Sequence, residues 1–219
     1  MNLSLLKINE NAYQIRDGEK SSSMLSRYGI LKGVGTPISN GEAVSAQKDS
    51  VHFLAKRAVD VKVTKYGERH TLSVSLSENE SFFGLGDSSR DGIQLRGKEI
   101  LLEKSNVKCY GPMPLLLSSD GWAILVNTTY KTVFDIGKND KSTLVIKVYG
   151  GQIDFYLFKA ESLLGLVRET TRVTGRPMML PKFGYGLTVV NNEDIAIPHL
   201  LEYIRLYREQ DIPCDIMGL

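Results

Sequence analysis

The chain has 219 residues, of which 42% are hydrophobic and 24% charged, a composition typical of globular proteins that bury a core in one or two domains. It carries 27 Lys and Arg against 25 Asp and Glu, so the net charge of about +2 provides no field that would gather nucleic acid or anionic lipid. The opening residues lack an apolar stretch of signal-peptide length, and no run reaches the length of a membrane span. We therefore expect a cytoplasmic protein with neither nucleic acid nor membrane as partner.

Short apolar runs broken by Gly, Asn, Asp and Ser extend from residue 12 to about residue 158. Val59, Val61 and Val63 alternate with polar residues, and the pattern resumes after Tyr66-Gly67-Glu68, which predicts a hairpin over residues 58–77. Further strands are predicted at residues 122–127, 131–136, 143–149 and 152–158. Strands at this spacing, each with one wet face, are typical of an antiparallel β-sandwich.

The pattern becomes helical after Ser162, where apolar residues recur at helical spacing as far as Gly175. Ser162 is placed to cap a helix over about 162–174, and Gly175 is placed to end it. This predicts a sandwich domain over residues 1–175.

The remaining residues, 176–219, predict a β-α-β unit that begins another domain. The run MMLPKFGYGLTVV is strand-like, residues 193–210 indicate a helix with Pro198 in its first turn, and DIPCDIMGL indicates a buried parallel strand. The helix is expected to turn inward a face made of Leu200, Leu201, Ile204 and Tyr207.

Such a unit cannot bury its own faces, because a parallel sheet needs further strands and a second helical layer. The sequence is therefore expected to stop within this second domain, as a truncated form of it. From about residue 184 onward, the tail is expected to be mobile, self-associated or folded back over the sandwich.

No metal site, organic cofactor or disulfide is expected. The three histidines His52, His70 and His199 are scattered, with no carboxylate at ligand spacing, and His70 is expected to be exposed. Cys109 and Cys214 lack the close pairing of a zinc or redox motif and are expected to be buried thiols.

Three stretches in order resemble glycoside hydrolase family 31. The first is Phe82-Phe83-Gly84-Leu85-Gly86-Asp87, followed by Gln94-Leu95-Arg96-Gly97. The second is the segment 110–137, with Ser-Asp-Gly-Trp, Asn127 and Phe134-Asp135. The third comprises Thr174-Gly175-Arg176-Pro177, Leu180-Pro181-Lys182-Phe183 and Ile212-Pro213-Cys214-Asp215. The resemblance covers residues 58–219 well and the first 57 loosely.

The resemblance implies a mainly β protein: a galactose-mutarotase-like antiparallel β-sandwich followed by the first β-α-β of a (β/α)8 barrel. It implies a retaining hydrolase of α-linked sugars that uses two Asp carboxyl groups about 5 Å apart, one as nucleophile and one as general acid/base. In this family both lie on later barrel strands, so no catalytic residue is expected in this chain and the chain alone is expected to be inactive. The sequence leaves two points open: which α-linked sugar is accepted, and whether the glycosyl group is hydrolysed or transferred to another acceptor.

The resemblance also implies that a sandwich loop, residues 84–97, helps to form the rim of the active site. Its polar residues are then candidates to hydrogen-bond sugar hydroxyls: Asp87, Arg90, Asp91, Gln94 and Arg96. The alternative is a solvated turn in which Asp87 and Arg96 pair at the interdomain seam.

Two other interpretations remain open. The chain could be a stand-alone carbohydrate-binding sandwich with its own sugar site, or a structural module whose tail binds another chain. Trp122, the single tryptophan, could serve as a stacking surface for a sugar ring, although its position at the start of an apolar strand favours core packing.

Overall fold

The computed structural model describes residues 3–17, 50–87, 92–103, 109–190 and 196–218, together with the backbone of residues 42–47. Two compact units are present, residues 1–176 and residues 177–219. No helix among the described residues is long and apolar enough to cross a membrane.

The first unit contains thirteen of the described strands and one long helix. The strands are β1 Leu3–Asn9, β2 Ala12–Asp17, β3 Glu42–Gln47, β4 Ser50–Leu54, β5 Ala58–Tyr66, β6 Arg69–Ser75, β7 Phe82–Asp87, β8 Glu99–Leu102, β9 Gly111–Ser118, β10 Trp122–Val126, β11 Thr132–Ile136, β12 Thr143–Val148 and β13 Asp154–Lys159. The helix is α1 Leu163–Thr174.

These strands form two antiparallel sheets, as the sequence predicts. The seven-stranded sheet has the order β3-β1-β2-β13-β10-β9-β7, and the six-stranded sheet has the order β4-β5-β6-β12-β11-β8. The predicted hairpin is β5 and β6, in which Val61 pairs with Val74 and Tyr66 with Arg69. The mainly β, sandwich-like fold class is confirmed.

The main core lies between the two sheets. Residues from both sheets pack into one cluster, which includes Phe82, Trp122 and Phe155 of the seven-stranded sheet and Val61 and Phe134 of the six-stranded sheet. The side chain of Trp122 is completely buried, so its predicted role in core packing is confirmed.

Helix α1 covers the other face of the seven-stranded sheet. Leu166 and Val173 of α1 pack with Leu125, Tyr156 and Phe158, which alternate along β10 and β13 with residues of the main core. The central strands are therefore buried on both faces, which explains why their sequences are almost continuously apolar. As predicted, the Ser162 hydroxyl caps the start of α1, and Gly175 is its C-cap.

The second unit is a small parallel β-α-β. It contains a 3₁₀ helix Lys182–Tyr185, β14 Thr188–Val190, α2 Ile197–Glu209 and β15 Ile216–Gly218, and β14 pairs with β15 in parallel. Of the predicted inner face of α2, Leu200 and Tyr207 are half-buried, whereas Leu201 and Ile204 are exposed. The inner face is therefore only partly covered, and the identification of this unit as the start of a barrel remains a prediction.

Candidate functional site

The first motif of the family resemblance forms a bulged strand rather than a simple turn. Its three central residues have positive φ angles, 111° at Gly84, 63° at Leu85 and 69° at Gly86, and the register against β9 shifts between the two glycines. A Cβ at Gly84 would lie 2.3 Å from the Leu115 carbonyl oxygen, and one at Gly86 would lie 2.1 Å from that of Gly111. Glycine is required at both positions, because the two backbones approach too closely for any side chain.

The bulge buries Leu85 completely and places Asp87 at the exposed end of β7. Asp87 pairs with Gly111 at the start of β9. The neighbouring thiol of Cys109 is buried, which raises its pKa, and the Asp87 carboxylate adds to that rise. Both cysteines are buried and free, as the sequence predicts.

The segment from Gly92 to Gly97, which we call the return segment, is anchored to both sheets. The backbone N–H of Leu95 donates to the Phe82 carbonyl at 2.8 Å, and that of Gly97 donates to the Ile136 carbonyl at 2.7 Å. Leu95 inserts its side chain into the main core. The segment therefore has a fixed position relative to β7.

Arg96 joins this segment to two other loops. Its Nη1 donates to the carbonyl oxygens of Ser77 at 2.7 Å and Glu80 at 2.8 Å, and its Nη2 donates to the Lys141 carbonyl at 3.0 Å. Within the described part of the chain it forms no ion pair with Asp87, so the alternative prediction of an Asp87–Arg96 pair is wrong there. Arg96 is a cross-link among three connections.

An open groove of about 640 Å³ lies beside Arg96. Gln94 and Arg96 line it, so the structure brings together two of the five predicted rim residues. Asp87 lies at the end of β7, and Arg90 and Asp91 lie outside the described residues. The other residues lining the groove are Leu76, Glu78, Gly97, Gly137, Lys141 and Ser142.

The turn between β11 and β12 forms one wall of the groove, and two aspartates stabilise it. Asp135 accepts hydrogen bonds from the backbone N–H groups of Lys138 at 2.9 Å and Asn139 at 3.3 Å. Burial raises the pKa of Asp135, but these bonds and one from the Asn139 side chain outweigh burial and leave the pKa below its usual value. Asp140 binds the backbone N–H and hydroxyl of Ser142 at 2.9 and 2.7 Å. This wall is therefore locally rigid.

Glu80, whose backbone carbonyl accepts from Arg96, has a buried carboxylate that the sequence analysis missed. Glu80 is 1% exposed, and its Oε2 accepts bonds from Arg57 Nη2 at 2.7 Å and the Ser77 backbone N–H at 2.9 Å. Its Oε1 accepts bonds from the Trp122 indole N–H and the Ser118 hydroxyl, each at 2.5 Å. All four donors serve one carboxylate, which satisfies a buried charge. The segment SENES around Glu80 looks like an ordinary polar turn, so no sequence signal indicated this role.

His70 was expected to be exposed, and that prediction is wrong. It alternates with Leu72 and Val74 on the core side of β6 and is 3% exposed. Burial lowers the pKa of His70 to about 4, and the nearby Lys65 contributes to the decrease. Among the described residues no group hydrogen-bonds its Nδ1.

The described residues contain no cluster of three or more His, Cys, Asp or Glu side chains able to hold a metal ion.

A family model and several curated proteins match parts of this chain in sequence. Residues 37–135 match the family described as the glycosyl hydrolase 31 N-terminal galactose mutarotase-like domain. An α-xylosidase of Saccharolobus solfataricus is 24% identical over 197 residues, which cover 83% of this chain and 26% of that protein. An isomaltosyltransferase of Sporosarcina globispora is 28% identical over 126 residues, 52% of this chain and 11% of that protein.

Solved structures show the same fold. A dextranase of Flavobacterium johnsoniae, described as a GH31 enzyme complexed with glucose, superimposes with a TM-score of 0.73 at 19% identity, covering 97% of this chain and 30% of that one. A GH31 α-xylosidase from a soil metagenome, complexed with xylose, gives 0.69 at 14% identity, covering 95% and 37%. This chain thus spans roughly a quarter or less of these curated relatives' length. The resemblance to glycoside hydrolase family 31 is confirmed, and residues 37–135 match the N-terminal galactose mutarotase-like domain described for that family.

Proposed function

We propose that this chain supplies the sandwich of a retaining α-glycoside hydrolase, in which it supports a (β/α)8 barrel and contributes the segment 84–97 to the active-site rim. The observation that supports the rim role best is the bulge in β7. Two positive-φ glycines and a close approach to β9 hold Asp87 at an exposed strand end.

The anchoring of the return segment supports the same proposal. A rim must hold its hydrogen-bonding groups in place before the sugar arrives, since ordering a loop during binding costs conformational entropy. Leu95 and the three carbonyls bound by Arg96 provide that order next to Gln94. The exposed Gln94 side chain and the Asp87 carboxylate are therefore the two described groups best placed to contact hydroxyls.

The chemistry itself would come from two Asp carboxyl groups on later barrel strands. One would attack the anomeric carbon, and the other would protonate the leaving oxygen and then activate water, which retains the α configuration. The 219-residue chain alone would then be inactive. The α-linked sugar would be selected by barrel loops.

The rim role is tested with Asp87→Asn in a protein that contains this sandwich and its catalytic barrel. If Asp87 binds a sugar hydroxyl, KM for an aryl α-glycoside rises several-fold while kcat changes little. Asp60→Asn, an exposed aspartate on β5, is the matched control and leaves both constants unchanged. Equal kinetics for Asp87→Asn and the control would exclude the rim role.

A further inference from the structure

Three exposed tyrosines lie at one end of the six-stranded sheet, away from the groove. Tyr66 is 87% exposed, Tyr130 is 53% exposed and Tyr149 is 40% exposed. Large aromatic side chains are usually buried, and nothing in the proposed catalytic role uses these three.

The strand register places two of the tyrosines, Tyr66 and Tyr149, on one face of the sheet with Arg69 between them. Tyr66 of β5 pairs with Arg69 of β6, and His70 pairs with Val148, so Arg69 is opposite Tyr149. On the next strand, the Tyr149 backbone N–H donates to the Lys131 carbonyl at 3.0 Å. Tyr130 directly precedes Lys131, and its ring lies against Gly150 and Gly151, which follow Tyr149. We name the surface formed by Tyr66, Arg69, Tyr149, Lys131 and Tyr130 the tyrosine row.

Two cationic side chains contact the ring of Tyr149, the central tyrosine of the row. The Arg69 guanidinium carbon lies 5.3 Å from the centroid of the Tyr149 ring, and Lys131 Nζ lies 5.8 Å from it. Lys131 also pairs with Glu103 at 3.3 Å. The ring is therefore fixed by its neighbours while two-fifths of the residue stays accessible.

The ring of Tyr130 is supported by backbone. A Cβ at Gly150 would lie 2.7 Å from the Tyr130 ring, and one at Gly151 would lie 3.0 Å from it, so the ring rests on this glycine pair. The Tyr130 backbone N–H also donates to the Thr128 hydroxyl at 3.1 Å. Exposed rings that are ordered in advance lose little entropy when a ligand stacks on them.

The chemistry of the row fits a neutral sugar chain. Aromatic rings accept the apolar face of a pyranose, and Arg69 and Lys131 carry N–H donors for hydroxyl oxygens. Tyr66 and Tyr149 lie two strands apart, about 10 Å, which favours an oligosaccharide over a single sugar. A polyanion is disfavoured, because Glu103 pairs with Lys131 beside the row and the chain has a net charge of only +2.

We propose that the tyrosine row is a binding site for a neutral oligosaccharide of hexopyranose units. This site is separate from the active-site rim and takes no part in catalysis. The proposal therefore does not depend on the rim role of Asp87.

The test is a calorimetric titration of the 219-residue chain with maltohexaose and isomaltohexaose. Saturable binding of at least one of them is expected, with little dependence on salt concentration. Tyr149→Ala and Tyr130→Ala are each expected to weaken binding about three- to tenfold. The matching Phe variants keep the aromatic ring and are expected to bind as tightly as the wild type. Tyr203→Ala is the control, because Tyr203 on α2 is 42% exposed, close to the value for Tyr149.

Amide chemical-shift mapping during the same titration locates the site. Shifts are expected at Arg69, Lys131 and Tyr149. Absence of saturable binding to both sugars, equal affinity of the Ala variants and the wild type, or shifts confined to Asp87 and Gln94 would each overturn the proposal. Salt-sensitive binding of oligo-dT at the row, tighter than that of either sugar, would also overturn it and would assign the row to nucleic acid.

Discussion

Glu80 and Trp122 are joined by a hydrogen bond of 2.5 Å from the indole N–H to Oε1. Both side chains are buried, and the same carboxylate pairs with Arg57 at 2.7 Å. This contact links the connection before β7 to the first residue of β10. The contact between these two segments therefore depends on one satisfied charge.

Glu80→Ala is expected to lower the free energy of unfolding by about 3 to 5 kcal/mol, because it leaves Arg57 and the Trp122 indole without their common acceptor. Glu78→Ala is the matched control two residues away; Glu78 is exposed, so a change within about 0.5 kcal/mol is expected. Urea denaturation followed by Trp122 fluorescence measures both. Equal effects of the two substitutions would show that the buried network contributes nothing.

Gly86→Ala is expected to destabilise the sandwich more than Gly67→Ala. Both glycines have positive φ angles, 69° and 61°, so alanine is strained by about 1 to 2 kcal/mol at either position. Only at Gly86 would the new Cβ also meet backbone, the Gly111 carbonyl at 2.1 Å; at Gly67 nothing lies within 4 Å. Denaturant midpoints of the two variants separate steric overlap from backbone strain. Similar midpoints would contradict the close approach of β7 to β9.

His70 predicts a loss of stability in mild acid. Its pKa is about 4 in the folded chain and 6.5 when unperturbed, so between these values the unfolded chain binds one more proton. The contribution of neutral His70 to the free energy of unfolding is fully present above pH 6.5. As the pH is lowered from 6.5 to 4, this contribution decreases by up to about 1.4 kcal/mol per pH unit. His70→Gln should flatten the stability profile between pH 4 and pH 6.5. An unchanged slope would mean that His70 is accessible to protons in the folded state.

Arg96→Ala is expected to lower the free energy of unfolding by about 2 to 4 kcal/mol, because three carbonyl acceptors lose a charged donor. Amide exchange should accelerate in the loops around Ser77 and Lys141, which Arg96 connects. Arg168→Ala, at an exposed position on α1, is the control and should leave stability within about 0.5 kcal/mol. Unchanged exchange in Arg96→Ala would contradict its role as a cross-link.

The sequence predicted the parts of the fold that local patterns encode. The alternation of Val59, Val61 and Val63 locates the β5–β6 hairpin, and Ser162 with Gly175 marks the ends of α1. The FGLG motif was harder to interpret, because glycines that usually mark a turn here allow a bulged strand against β9. That requirement comes from a neighbouring strand remote in sequence.

The candidate site was less predictable than the fold. Gln94 and Arg96 were identified only through resemblance, and the sequence gives no indication that Arg96 would bind backbone carbonyls. Glu80 was missed because a polar residue in a short polar segment carries no mark of the sandwich face that it occupies. His70 lies two residues before Leu72 in the predicted hairpin, so the strand alternation would have placed it on the core face. Side-chain contacts across sheets are not encoded locally.

We propose that this sandwich belongs to a retaining α-glycosidase whose catalytic carboxylates lie on the barrel. The most direct measurement is hydrolysis of a panel of aryl α-glycosides by the 219-residue chain alone and by the same sandwich joined to its family 31 barrel, with the product anomer followed by NMR. The account predicts activity only with the barrel, on an α-glycoside, with the α product formed first. Hydrolysis by the 219-residue chain alone, or first formation of the β product, would contradict it.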